Sequence, residues 1–205
     1  MIPGVVRRLP LLALLVLGAC SSGPAPGDNS AYLTEVAESR ATKDQFFRND
    51  PETPVPADKR ATLLPLAYFD VDTAFVVPAS LKLNDQRPVF EMPTSTGTIR
   101  KMQLVGSLQF SLQGQPMSLG AFVEEGTTEI DTLFVPFADL TTGKDTYPAG
   151  RYLDLHPTAT GYYTIDFNKA YNPYCAYSAA YECPYPPPSN RLKIPINAGE
   201  KIPAA

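Results

Sequence analysis

LQFSLQGQPMSLGAFV, residues 108–123, is the stretch that decides the fold class. Leu108, Phe110 and Leu112 alternate with polar residues, and Met117, Leu119, Ala121 and Val123 alternate again beyond Gln113-Gly114. A period of two places each set on one face of an extended strand. Glycine at the break can take the positive φ that a tight hairpin requires. The same period runs outward: Phe75, Val77, Ala79 and Leu81 precede the hairpin, and LFVPF (133–137), RYLDL (151–155), YYTIDF (162–167) and LKIPI (192–196) follow it. Short strands joined by short turns predict a mainly β fold, an antiparallel β-sandwich or partly closed β-barrel. The 22 prolines fall between the apolar runs, which argues against an all-helical bundle.

One amphipathic helix is expected ahead of the strands, over residues 30–50. Tyr32, Leu33, Val36, Ala37, Phe46 and Phe47 recur there at roughly helical spacing, with Asp28, Asn29 or Ser30 available as N-cap. PETPVPAD then breaks any regular ladder, so the β domain is expected over 51–205.

The N-terminus carries an address. Arg7 and Arg8 precede LPLLALLVLG, an apolar run too short to span a bilayer, and small residues lead to Cys20. Residues 1–19 therefore read as a signal peptide, and Leu17-Gly18-Ala19-Cys20 resembles a bacterial lipobox, with Cys20 as the lipidated first residue. Two or more acyl chains anchor stably, so the membrane is an expected partner through Cys20, with residues 20–29 as a flexible tether. The expected location is the cell envelope, facing the periplasm. Ser21 lacks the aspartate of an inner-membrane retention signal, which favours the outer membrane in a Gram-negative host. Without Arg7 and Arg8 the formal charge moves from −4 to −6, and no basic block exists, so nucleic acid is not an expected partner.

Cys175 and Cys183 are the only other thiols, and an even pair in an oxidising compartment is expected to form a disulfide. Metal ligation would need more donors than the pair and the single His156 provide. Tyr171, Tyr174, Tyr177, Tyr181 and Tyr185 crowd into the same loop. Such rings can bind a sugar or peptide, but packing against a sheet end is the commoner use.

Four stretches together resemble one family: LAYFDVD (66–72), TSTGTIR (94–100), LFVPFADLTTGKDTYPAGRYLDL (133–155) and DFNKAYNPYCAYSAAYECPYPPPSNRLKIPINAGE (166–200). They are similar to the uncharacterised bacterial family catalogued as domain of unknown function 1684. The resemblance covers most of the processed chain and implies no reaction. The helix matches it only at Arg40, Lys43, Phe46 and Phe47.

Chemical motifs are few. There is no G-x-S-x-G elbow, phosphate loop, dinucleotide fingerprint or H-E-x-x-H helix, and no cofactor is expected. ADLTTGKDTY reads as a turn rather than a calcium loop. Asp154, Asp166 and Glu200 are the candidate acids for a carboxylate-dependent hydrolase of an envelope glycan. A ligand site is the expectation for the chain as a whole, although for Arg151 by itself an internal ion pair that fixes the strand register is the favoured reading. In RYLDL the period of two turns Arg151 inward with Leu153 and Leu155, where it must meet a carboxylate such as Asp166 or Glu200, or open into a polar cavity. Arg100, Tyr147, Asn168 and Asn172 lie in the motifs shared with the family and are donors suited to a carboxylate, phosphate or sugar. The expectation is thus a tethered binding module for a small anionic or carbohydrate ligand, with the hydrolase and a structural partner of envelope proteins as alternatives.

Overall fold

The computed structural model describes Met1 and residues 28–204; the rest of the expected signal peptide, Cys20 and most of the expected tether lie outside the described residues. Helix α1 (Ser30–Asn49) leads into seven antiparallel strands: β1 (Val76–Leu83), β2 (Val89–Pro93), β3 (Ile99–Leu112), β4 (Gln115–Glu124), β5 (Leu133–Phe137), β6 (Arg151–Leu155) and β7 (Tyr163–Asp166). Their order is β6-β5-β4-β3-β1-β7, with β2 beside the first half of β3. Tyr152 and Tyr171 exchange backbone hydrogen bonds at 2.9 and 3.0 Å, which joins β6 to the chain just beyond β7. The sheet is therefore a nearly closed barrel, as its strand pattern predicted.

Gln113 and Gly114 both take positive φ, 52° and 74°, and close the β3–β4 hairpin in two residues. A bulge in β3 then sets which side its residues face. Leu104 pairs with Phe122 and Gly106 with Ala121, leaving Val105 as the extra residue. Before the bulge Met102 and Leu104 join Met92 and Phe122 on the outer face; after it Leu108, Phe110 and Leu112 enter the main core. A Cβ on Gly106 would lie 2.2 Å from the Lys82 carbonyl oxygen, so the bulge depends on glycine there.

Two strand expectations change. β2 lies in RPVFEMP, where flanking prolines and a five-residue length hide the alternation. LKIPI is not a strand: Leu192, Ile194 and Ile196 are buried in alternation, but the segment makes no ladder, and Pro195 lacks a donor. Buried Asn190 beside it reinforces the sheet. Its side-chain amide donates to the Gly120 and Pro136 carbonyls at 2.8 Å each and accepts from Gly120 N at 2.7 Å, where β4 and β5 are paired only at Phe122 and Phe134.

Helix α1 docks through a stripe other than a simple apolar one. Tyr32, Val36, Arg40, Lys43 and Phe47 face the barrel, whereas Leu33 and Phe46 are exposed. Tyr32 donates to both Asp166 oxygens at 2.9 and 3.0 Å, and Arg40 lies 4.3 Å over the Tyr68 ring. Lys43 pairs with Glu200, and Phe47 is buried with Val55, Leu63, Leu64, Leu66 and Tyr177.

Candidate functional site

The six ligand residues expected from sequence do not converge on one cavity. Arg151 does turn inward and is 1% exposed, but its carboxylate partner is Asp139, 3.0 Å away, rather than Asp166 or Glu200. Its guanidinium also donates to the carbonyls of Ile196 at 2.9 Å, Glu200 at 3.2 Å and Ala198. Burial pulls the Arg151 pKa down and the Asp139 charge opposes that shift. Arg151 is therefore enclosed by internal acceptors, outside the lining of the cleft described below, and fixes the C-terminal segment against β6. Sequence held a sign of Asp139: Val135 and Phe137 face inward, and the same period of two continues to Asp139.

Asp166 and Asn168 anchor the helix instead of a ligand. Asn168 Nδ2 donates to the Tyr32 hydroxyl at 3.0 Å and to the Asp72 carbonyl at 2.8 Å. Asn172 is buried beside Glu200, which accepts from Asn172 N and the Tyr177 hydroxyl at 2.7 Å each. Gly199 makes this possible. It has φ +77°, and a Cβ there would meet the Ala170 and Phe167 carbonyl oxygens at 2.6 and 2.7 Å. Of the proposed acids, Asp166 and Glu200 are committed to internal bonds with the helix and the C-terminal loop, and Asp154 faces solvent, bonded to Tyr171.

Tyr147 donates to the Cys175 carbonyl at 3.2 Å. The expected disulfide is corrected here: Cys175 and Cys183 are free thiols in contact, with Cys175 N donating to Cys183 Sγ at 3.1 Å. The loop has other restraints that order it. Ser95 N donates to the Cys183 carbonyl at 3.0 Å, Tyr185 N donates to the Pro93 carbonyl at 2.8 Å, and Thr96 binds Glu182 at 2.6 Å. The TSTGT turn between β2 and β3 thereby holds the loop over the sheet.

Under that loop lies a cleft of about 830 Å³. Its floor is the outer face of the barrel, where Met102 of β3, Phe122 of β4, Phe134 of β5 and Tyr152 of β6 follow one another across the strands. Phe122 pairs directly with Phe134, and the Phe134 and Tyr152 ring centroids lie 4.7 Å apart. Asp154, two residues from Tyr152, points to the same side and accepts the Tyr171 hydroxyl at 2.7 Å. Tyr171, Tyr174 and Tyr181 form one wall, and Lys43, Phe46 and Phe47 of α1 another. The tyrosine loop thus divides its rings: Tyr177 packs under the helix, while these three face the cleft. Arg100 is the one expected ligand residue that reaches it, paired with Glu124 at 2.6 Å.

Among solved architectures this is a nearly closed antiparallel barrel with an aromatic cleft on its outer face, roofed by a C-terminal loop. The chain belongs to the family described as "Protein of unknown function (DUF1684)", whose model matches residues 62–201. It is similar to an uncharacterized protein of Haloarcula marismortui solved by solution NMR, with 37% identity over 85% of this chain and 96% of that one and a TM-score of 0.67. A search of curated proteins finds no match.

Proposed function

We propose that this protein is a lipid-anchored envelope module that binds a carbohydrate in the cleft under the C-terminal loop. The observation that carries the reading is the row of aromatic side chains on the outer face of the sheet. The solvent side of a half-buried strand normally bears polar residues, whereas here half-buried Phe134 lies over the packed Phe122 and Tyr152 at the floor of a concavity with three loop tyrosines opposite. Sugar rings present apolar C–H faces to such rings and hydroxyls to neighbouring carboxylates, and the cleft supplies both. The predominance of carboxylates in its lining favours a carbohydrate over an anionic ligand. Of the three candidate acids of the hydrolase alternative, only Asp154 lines this cleft, while Asp166 and Glu200 hold internal hydrogen bonds.

The anchor rests on the lipobox at Cys20, outside the described residues, and the placing of α1 suits it. At 1.5 Å per residue, Ser30, where the tether joins the helix, lies roughly 20–25 Å along the axis from Lys43 and Phe47 at the cleft. The deciding experiment is glycan-array binding followed by calorimetry on wild type and Tyr174→Ala/Tyr181→Ala. These two rings lie 5.2 Å apart, and Tyr174 is exposed and Tyr181 half-buried. The expected result is a loss of at least about tenfold in affinity with little change in melting temperature. Undiminished binding by the double variant refutes the site.

A further inference from the structure

The cleft has a charge pattern that discriminates between kinds of saccharide. Five carboxylates line it, those of Glu124, Glu129, Asp131, Asp154 and Glu182, against two cations, Lys43 and Arg100. Both cations are engaged: Arg100 pairs with Glu124, and Lys43 pairs with Glu200, which lies outside the cleft lining. Glu129, Asp131, Asp154 and Glu182 form no ion pair among the described residues. A ligand bearing a carboxylate or phosphate meets repulsion from all four.

Carboxylates beside aromatic faces suit an ammonium group, since the ring face attracts the charge and the carboxylate accepts its N–H donors. The protein itself places one in this way. Lys43 Nζ sits 5.2 Å from the ring centroids of both Phe47 and Tyr171 while bonded to Glu200. Asp154 binds the hydroxyl of the same Tyr171 and faces the cleft. We infer that the bound saccharide carries at least one free amino group, received beside Asp154 and Tyr171, and that acetylation of that amine or a uronic acid in its place weakens binding. Acetylation removes both the charge and the cation–π attraction.

This inference rests on the carbohydrate reading of the cleft, and the test separates the two. Calorimetry on the full chain, slightly below neutral pH, compares a glucosamine tetramer with its N-acetylated counterpart and with a galacturonate tetramer. The expected order is glucosamine tightest, by about tenfold or more over the acetylated form, with uronate weakest and the preference shrinking as salt rises. Asp154→Asn, which keeps an acceptor for the Tyr171 hydroxyl, should bring the free and acetylated tetramers within about twofold of each other. Asp131→Asn, an exposed position whose carboxylate has no hydrogen-bond partner among the described residues, should reduce the preference by a smaller factor and serves if the first variant melts early. Equal affinity for the free and acetylated tetramers overturns the amine inference and leaves the carbohydrate site standing. Tightest binding of uronate overturns it as well. Binding of none of the three defeats both proposals.

Discussion

Arg151→Met removes the side chain that ties the C-terminal segment to the barrel, and the structure sets the size of the loss. Arg151 and Asp139 are each about 1% exposed at their side chains, so neither charge is screened by solvent. Removing the guanidinium strands the Asp139 carboxylate and takes a donor from the carbonyls of Ile196, Ala198 and Glu200. Breaking a buried pair on one side costs about 3–5 kcal/mol. Asp139 keeps Thr141 N at 2.8 Å, Thr141 Oγ1 at 2.6 Å and Ile196 N at 3.1 Å, which restrains the loss to the lower half of that range. For a chain of this length each kcal/mol lowers the melting temperature by roughly 2–4 °C, so a fall of about 6–16 °C is expected. Thermal and urea melts followed by circular dichroism measure it. Asp139→Asn and the double variant complete a cycle in which the double change should cost about 2 kcal/mol less than the two single changes summed. A melting temperature within about 2 °C of wild type for Arg151→Met, or a change in glycan affinity with stability intact, would refute the structural role assigned to this arginine.

Glu200→Gln should loosen the helix more than the barrel, because it removes the charge that Lys43 reaches from α1 and alters the acceptor for Tyr177 and Asn172. Lys43 is 24% exposed at its side chain and can rehydrate, so the expected cost is about 2–3 kcal/mol, with hydrogen exchange rising over residues 30–49; unchanged exchange there speaks against the latch. Burial, reinforced by the Glu200 charge at Tyr68 and Tyr177 and by Asp154 at Tyr171, pushes these phenols above their ordinary range. Their folded pKa values are raised, so this contribution to stability is fully present below the unfolded tyrosine value of about 10 and is lost as pH rises above it. The melting temperature should fall only above that pH, with tyrosinate absorbance appearing together with unfolding; full ionisation of a still-folded chain contradicts it. The Cys183 thiol, followed by lesser contributions from Tyr147 and Ser95, lowers the Cys175 pKa to about 7 against the opposing effect of burial. Iodoacetamide should therefore modify Cys175 of the reduced protein with a midpoint near about pH 7 and spare Cys183, and mass spectrometry that finds equal labelling of both rejects the arrangement.

What the sequence by itself determined is local. A period of two placed Leu108, Phe110 and Leu112 inward and turned Arg151 into the interior, because alternation is a property of an extended chain whatever surrounds it. Gln113-Gly114 fixed the hairpin for the same reason, since the turn needs positive φ at those two residues only. The sequence also marked one helix ahead of the strands, but not its inner stripe: Arg40 and Lys43 face the barrel because Tyr68, Tyr171 and Glu200 wait there, and no periodicity of apolar residues records a cationic contact. The period of two also turned Asp139 inward, but tertiary structure decided that this residue, twelve positions upstream through a loop, is the partner of Arg151, and gave Asp166, Glu200 and Asp154 different hydrogen-bond partners. It also decided the cleft. A single bulged residue, Val105, moves Met102 and Leu104 to the face opposite Leu108, and strand pairing then sets Phe122 beside Phe134. Those rings come from strands separated by turns and loops, and only hydrogen bonding across the sheet, with the TSTGT turn holding the tyrosine loop above it, makes them one surface.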